Sequence, residues 1–245
     1  MSGLSYMRFE LLRSARNRRY MFFAFGFPLV LYFAIAAPNR HTDNLNGSGI
    51  SLPLYYMVGL ASFGTMATMI SAGTRIAGER QAGWTRQLRI SPLSTREYFR
   101  AKVVTAYVMA LLGLLLLYAA GLSLGVHMAF HRWLSMTGLM LAGLLPFAAL
   151  GVAIGHLLTV DSMGAANGGI ISLFAFLGGT WFPLSHHGFF FQLGRLLPSY
   201  WLVQASHVSL QGGGWGARGW VTIAIWALAM TVLARVAYRR DTGRV

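Results

Sequence analysis

The sequence predicts an all-α membrane protein with six transmembrane helices, and three observations predict it. Hydrophobic residues fill 56% of the 245 positions and charged residues only 11%, whereas a soluble domain carries roughly a quarter charged residues. Stretches free of Asp, Glu, Lys and Arg recur along the chain at lengths suited to a ~30 Å hydrocarbon core. The basic residues fall between these stretches, concentrated in alternate loops. Six helices of ~20 residues with short connections use nearly the whole chain, so residues 1–245 are expected to be one transmembrane domain.

Taken in order, residues 1–19 form a basic segment containing Arg8, Arg13, Arg16, Arg18 and Arg19. Leu4, Met7, Leu11 and Ala15 recur there at helical spacing, which predicts an N-terminal interfacial helix. Lipid contact alone accounts for that strip as well as a neighbouring protein does. The first span is Tyr20 to Pro38, a retained anchor rather than a cleaved signal, since no small-residue cleavage site follows it. The second is Asn44 to Thr74. Residues 75–102 then mix charged and apolar side chains. Trp84 and Leu88, four apart, share a helical face, while Arg80, Arg86 and Arg89 can stay solvated. Pro92 ends that short helix, and Ser94-Thr95-Arg96-Glu97 has the capping-box pattern that starts the next.

The third span is Val103 to His131, the fourth Trp133 to Val160, and the fifth Ser162 to Leu184. Pro28 and Pro146 are expected to bend their helices. Residues 182–216 hold Pro183, Phe189, Phe190, Phe191, Pro198, Tyr200 and Trp201 and are too apolar for a free loop. Short outer re-entrant or interfacial helices before span six fit them; an aromatic belt accounts for the single residues equally well. Span six, Gly219 to Ala234, is the shortest. Arg218 and Arg235 can snorkel from its ends, with Trp220 and Tyr238 at the interfaces.

Six spans place both termini on one side. Sixteen of the twenty basic residues lie in the first segment, the second loop and the tail, leaving Arg40, Arg132, Arg195 and Arg218 opposite. The positive-inside rule therefore puts both termini in the cytoplasm. The net charge of +14 reflects topology, and no continuous basic groove for nucleic acid is present.

Several chemistries are excluded. Without cysteine there is no disulfide framework, thiolate nucleophile or cysteine-based metal site. Lys102, the single lysine, lies between Ala101 and Val103, so no Walker A loop exists. Glu10, Asp43, Glu79, Glu97, Asp161 and Asp241 all read as end or loop residues, leaving no intramembrane carboxylate for a proton relay. His127 and His131 are spaced to share a helical face, yet no nearby Cys or acid completes a metal set; His186 and His187 read as loop residues. His156 and Asp161 flank a short turn and could bond to each other. No histidine in the last span supports a serine protease. Gly121/Gly125, Gly151/Gly155 and Gly164/Gly168 allow close helix approach, within one subunit or between copies.

The run Gly78-Glu79-Arg80-Gln81-Ala82-Gly83-Trp84-Thr85-Arg86-Gln87-Leu88-Arg89-Ile90-Ser91-Pro92-Leu93-Ser94 resembles the coupling helix of type-2 ABC exporter permeases, which lies between spans two and three. Gly178-Gly179-Thr180-Trp181-Phe182-Pro183-Leu184 and Leu197-Pro198-Ser199-Tyr200-Trp201 resemble that family's outer region. The likeness extends over essentially the whole chain and points toward drug and antibiotic efflux permeases. It implies a bacterial cytoplasmic-membrane permease without enzymatic activity, paired with a second permease copy, a homodimer ahead of a heterodimer. Two copies of a cytoplasmic ABC ATPase would bind the ATP and magnesium, leaving no cofactor in this chain. On this resemblance Glu79, Arg80, Gly83, Trp84, Arg86, Leu88, Arg89 and Pro92 form the coupling site. Trp84 and Leu88 would fill a groove on the ATPase, Glu79 would pair with it, and Gly83 would permit close approach. Met57, Phe63, Met66, Met69, Phe174, Phe176 and Trp181 are candidate substrate lining or core packing. The competing functions are an ATP-independent oligomeric carrier or channel, and a membrane anchor without transport.

Overall fold

A computed structural model describes residues 3–83, 94–184, 188–210 and 214–242. Six of its helices are long and apolar enough to cross a membrane, and no strand occurs among the described residues. The elements in chain order are α1 (Gly3–Arg16), α2 (Arg18–Ala36), α3 (Leu52–Gln81), α4 (Thr95–Ser123), α5 (Phe130–Leu157), α6 (Val160–Leu177), α7 (Phe189–Gly194), α8 (Pro198–Gln204) and α9 (Ala217–Thr242).

The boundaries follow local chemistry. Asn17 breaks α1 from α2 and caps the latter, its side chain accepting from the Tyr20 amide at 3.1 Å. Ahead of Pro28, residues Phe22–Gly26 take a π-helical turn, the kind of widened turn that accommodates a helix irregularity. The second span is shifted relative to expectation. Residues 44–51 form a loop with a short 3₁₀ turn, Ser51 caps the helix, and α3 continues to Gln81. It ends where Gly83 adopts φ +74°, the left-handed conformation that glycine takes without steric cost. The predicted capping box is present: Ser94 Oγ accepts from the Glu97 amide at 3.2 Å and the Ser94 amide donates to Glu97 Oε2 at 2.9 Å. Pro146 sits just after an interruption at Leu144 in α5. The fifth span stops at Leu177, short of Leu184, and the last is longer than expected, Ala217–Thr242. Two short helices, α7 and α8, lie between α6 and α9 in the chain.

Helix α3 is the centre of the bundle. In its apolar window 83% is buried, against 17% for α6. Its small residues explain the position. A Cβ on Gly64 would meet the Ala24 carbonyl at 2.7 Å, and one on Gly155 would meet the Gly73 carbonyl at 2.8 Å, so α2 and the second half of α5 approach to backbone contact. Gly151/Gly155 is thus an internal packing motif, while Gly164 and Gly168 on α6 face open space. Ser62, Thr65 and Thr68 satisfy their hydroxyls on α3's own carbonyls, four residues back, as polar groups inside a membrane must be satisfied.

At one end of the bundle Tyr55 and Tyr56 donate hydroxyl bonds to the Gly179 and Trp181 carbonyls, fastening the loop after α6 to the start of α3. Trp226 on α9 donates to the Leu196 carbonyl at 2.7 Å.

Replacing Gly151 with Ala is expected to lower stability by about 1–3 kcal/mol, because the methyl carbon would lie 2.5 Å from the Met69 carbonyl oxygen. Gly164→Ala, entering open space, should change it by no more than about 0.5 kcal/mol. Thermal unfolding of the two variants in one detergent tests the contrast.

Candidate functional site

The most concentrated chemistry lies at the other end of the bundle, where α1, α3 and α4 each contribute two side chains four residues apart: Tyr6 and Glu10, Arg75 and Glu79, Tyr98 and Lys102. Such i, i+4 pairs share one helical face. Here the three faces converge on Lys102, which is fully buried.

Lys102 Nζ donates to Glu10 Oε1 at 2.7 Å and to Glu79 Oε1 at 2.6 Å. The rings of Tyr98 and Tyr6 flank it at 5.4 and 5.9 Å from their centroids. Tyr98 donates its hydroxyl to Glu79 Oε2 at 2.6 Å, and Arg13 on α1 reaches Glu79 Oε1 at 2.8 Å. Arg75 approaches Glu10 Oε1 at 3.0 Å while lying over the Tyr20 ring. Burying an ammonium costs several kcal/mol, and excellent geometry with opposite charges is what offsets it. Two carboxylates and two aromatic faces supply that here. Burial, reinforced by Glu79 and Glu10, pushes the Tyr6 hydroxyl above its ordinary range, so the phenol stays neutral.

A second cluster adjoins it. Arg80 Nη2 meets Asp241 Oδ1 at 2.6 Å, and Arg80 Nη1 donates to the Gly155 carbonyl at 2.9 Å. Asp241 Oδ2 lies 3.0 Å from His156 Nδ1. The His156 ring is flanked by Phe99 and Tyr238, at 5.7 and 5.4 Å. The ends of α3 and α5, the start of α4 and the tail of α9 are thereby clasped together. A third link, Asn167 Nδ2 to Thr74 Oγ1 at 2.7 Å, ties α6 to α3.

Several sequence expectations are corrected. Glu79 and Glu10 are not loop acids: they are buried acceptors, and both Glu79 oxygens are engaged within the chain. Arg80 is not simply solvated but bonded to Asp241 and α5. His156 pairs with Asp241 from 85 residues away, while Asp161 is exposed in the first turn of α6. His127 is in the segment after α4 and shares no helical face with His131. The buried face of α1 is Tyr6, Glu10 and Ser14, with Met7 and Leu11 half-buried beside it and Ala15 exposed. Met57, Met66 and Met69 are fully buried core side chains. Phe63 is held between Phe27 and Trp181, and Phe174 between Phe147 and Trp226. Phe176 is exposed. Gly83 ends α3, and no atom of the described residues beyond its chain neighbours lies within 4 Å of where its Cβ would stand. Trp84, Arg86, Leu88, Arg89, Pro92, His186 and His187 lie outside the described residues.

Two substitutions check these contacts. Lys102→Met should cost about 3–5 kcal/mol, because it leaves two buried carboxylates without their shared cation; adding Glu10→Gln and Glu79→Gln should recover part of the loss. Thermal unfolding measures both. Asp241→Asn should cost about 2 kcal/mol by weakening its charged bonds to Arg80 and His156, and should speed backbone hydrogen exchange in the last turns of α9.

Comparison with known proteins identifies the frame in which these clusters sit. The chain is 24% identical over 236 residues, covering 95% of both proteins, to "Putative transport permease YvfS" of Bacillus subtilis (strain 168). Residues 35–237 match the family described as "ABC-2 family transporter protein". A match over that much of a six-span chain places it: this multi-pass membrane protein belongs to the ABC-2 family of transporter permease subunits.

Proposed function

We propose that this chain is the membrane-spanning half of an ATP-driven exporter, moving an amphipathic or lipophilic, drug-like compound outward by alternating access. It pairs with a second copy of itself in the bacterial cytoplasmic membrane, with both termini cytoplasmic. Two copies of a separate ABC ATPase bind and hydrolyse the ATP with magnesium, and this chain performs no hydrolysis.

The observation that carries the reading is the ionic assembly flanking residues 84–93. Glu79 and Arg80 precede that segment; Tyr98 and Lys102 follow it. All four are bonded into the clusters that also hold α1, α5 and α9. A push delivered to the segment therefore reaches the central helix α3 and its neighbours together instead of dissipating in a floppy loop. Trp84 and Leu88 supply anchors for a groove on the ATPase, and Arg86 and Arg89 meet an acidic rim. Glu79 and Arg80 act behind this surface as positioning residues, consistent with their internal bonds. Substrate contacts the aromatic side chains Phe63, Phe174, Phe176 and Trp181 once the helices rearrange. Met57, Met66 and Met69 form the adaptable core behind them.

The test is co-purification of the tagged permease with its candidate ATPase, followed by hydrolysis and transport assays. The permease alone should hydrolyse no ATP. Trp84→Ala with Leu88→Ala should weaken the complex by about 30-fold, the effect of losing an interface anchor, and abolish ATP-dependent transport. Phe182→Ala at the opposite end should leave the complex intact. Transport that proceeds undiminished without any ATPase would establish the carrier reading instead.

A further inference from the structure

Helix α1 has two chemically distinct faces. The buried one carries Tyr6, Glu10 and Ser14. The other exposes Arg8, Phe9, Leu12 and Arg16. After the break at Asn17, Arg18 and Arg19 open α2, and Phe22 and Phe23 stand exposed one turn further on. Phe9, Leu12, Phe22 and Phe23 are each more than half exposed, at 58%, 54%, 54% and 61%. This is too much apolar surface in one place for water to cover without cost.

The arginines on this surface have no internal counter-charge. Glu10 and Glu79 are taken by Lys102, Arg75 and Arg13. Among the described residues none of Arg8, Arg16, Arg18 and Arg19 pairs with a carboxylate. Arg18 and Arg19 also sit in the first turn of α2, at the positive end of the helix dipole, with no acid in that turn. Along residues 8–23, four guanidinium groups without a carboxylate partner among the described residues thus alternate with four exposed apolar side chains, in the segment that leads into the first span.

We propose that this surface binds the headgroups of anionic phospholipids. The phosphates lie against Arg8, Arg16, Arg18 and Arg19, and Phe9, Leu12, Phe22 and Phe23 enter the upper acyl region. Basic clusters beside a span or on an amphipathic helix attract anionic lipid in this way. An acidic protein would satisfy the charges alone. Lipid is favoured because Phe22 and Phe23 belong to the first span itself, whose further residues Val30 and Phe33 are likewise exposed.

The experiment uses the full chain. It is reconstituted with equimolar phosphatidylglycerol and phosphatidylcholine, extracted gently, washed, and its retained lipid is quantified by mass spectrometry. Wild type should retain phosphatidylglycerol several-fold over phosphatidylcholine, and the preference should fall as salt rises from about 0.1 M to about 1 M. Arg8→Gln, Arg16→Gln, Arg18→Gln and Arg19→Gln together should reduce it about tenfold. The matching Arg→Lys variant should keep most of it, and Arg40→Gln with Arg218→Gln at the other end should keep all of it. Undiminished phosphatidylglycerol in the glutamine variant overturns the proposal, and does so in favour of an acidic protein if that variant loses its ATPase. An equal loss in the Arg40, Arg218 variant also overturns it. If the glutamine variant does not fold, the wild-type salt series decides: a preference that salt leaves unchanged overturns the proposal.

Discussion

Lys102 imposes the constraint on which one end of this molecule depends. A fully buried ammonium survives only with its charge answered on more than one side. Two carboxylates do so, one from the N-terminal helix and one from the central helix, with tyrosine rings covering the remaining faces. Because Glu10, Glu79 and Lys102 lie on three different helices, none can move far without exposing an unpaired charge to a low-dielectric interior. The helices that flank residues 84–93 are therefore held together by these ion pairs as well as by the apolar cluster of Tyr6, Tyr98 and Ala101.

Packing along the rest of the bundle obeys a different rule. Lipid offers little hydrophobic drive between helices, so close backbone approach and satisfied polar groups take over. Gly64, Gly73, Gly151 and Gly155 allow α3 to touch α2 and α5 at the backbone. At the far end, the tyrosine hydroxyls of α3 hold the Gly179–Trp181 loop. Helix α3 thus connects an ionic assembly at one end to a hydrogen-bonded loop at the other. A displacement at either end of α3 is therefore felt at the contacts of the other.

Much of the fold was legible in the sequence because membrane insertion imposes a strong one-dimensional signal. Spans of the right length, the Ser94–Glu97 box, the irregularities near Pro28 and Pro146 and the basic asymmetry all depend on neighbours in the chain. Boundaries slipped where local chemistry outweighed hydropathy. Ser51 caps the second span seven residues after its apolar run begins, and Gly178 ends the fifth before its run is over. The burial of Glu10 does not show in its immediate neighbours. Its i, i+4 relation to Tyr6 was visible; the cation that made burial favourable was 92 positions away.

Six apolar spans, the lack of a Walker A pattern and the concentration of basic residues in alternate connections can all be read from the chain alone. Each of these follows from composition within a window of about 20 residues, the distance a helix needs to span the hydrocarbon. Helix packing set which charges are buried, paired His156 with Asp241 and not Asp161, and turned Gly151/Gly155 inward while leaving Gly164/Gly168 open. Those outcomes depend on which helices become neighbours, and a pairing over tens of residues leaves no trace in local periodicity.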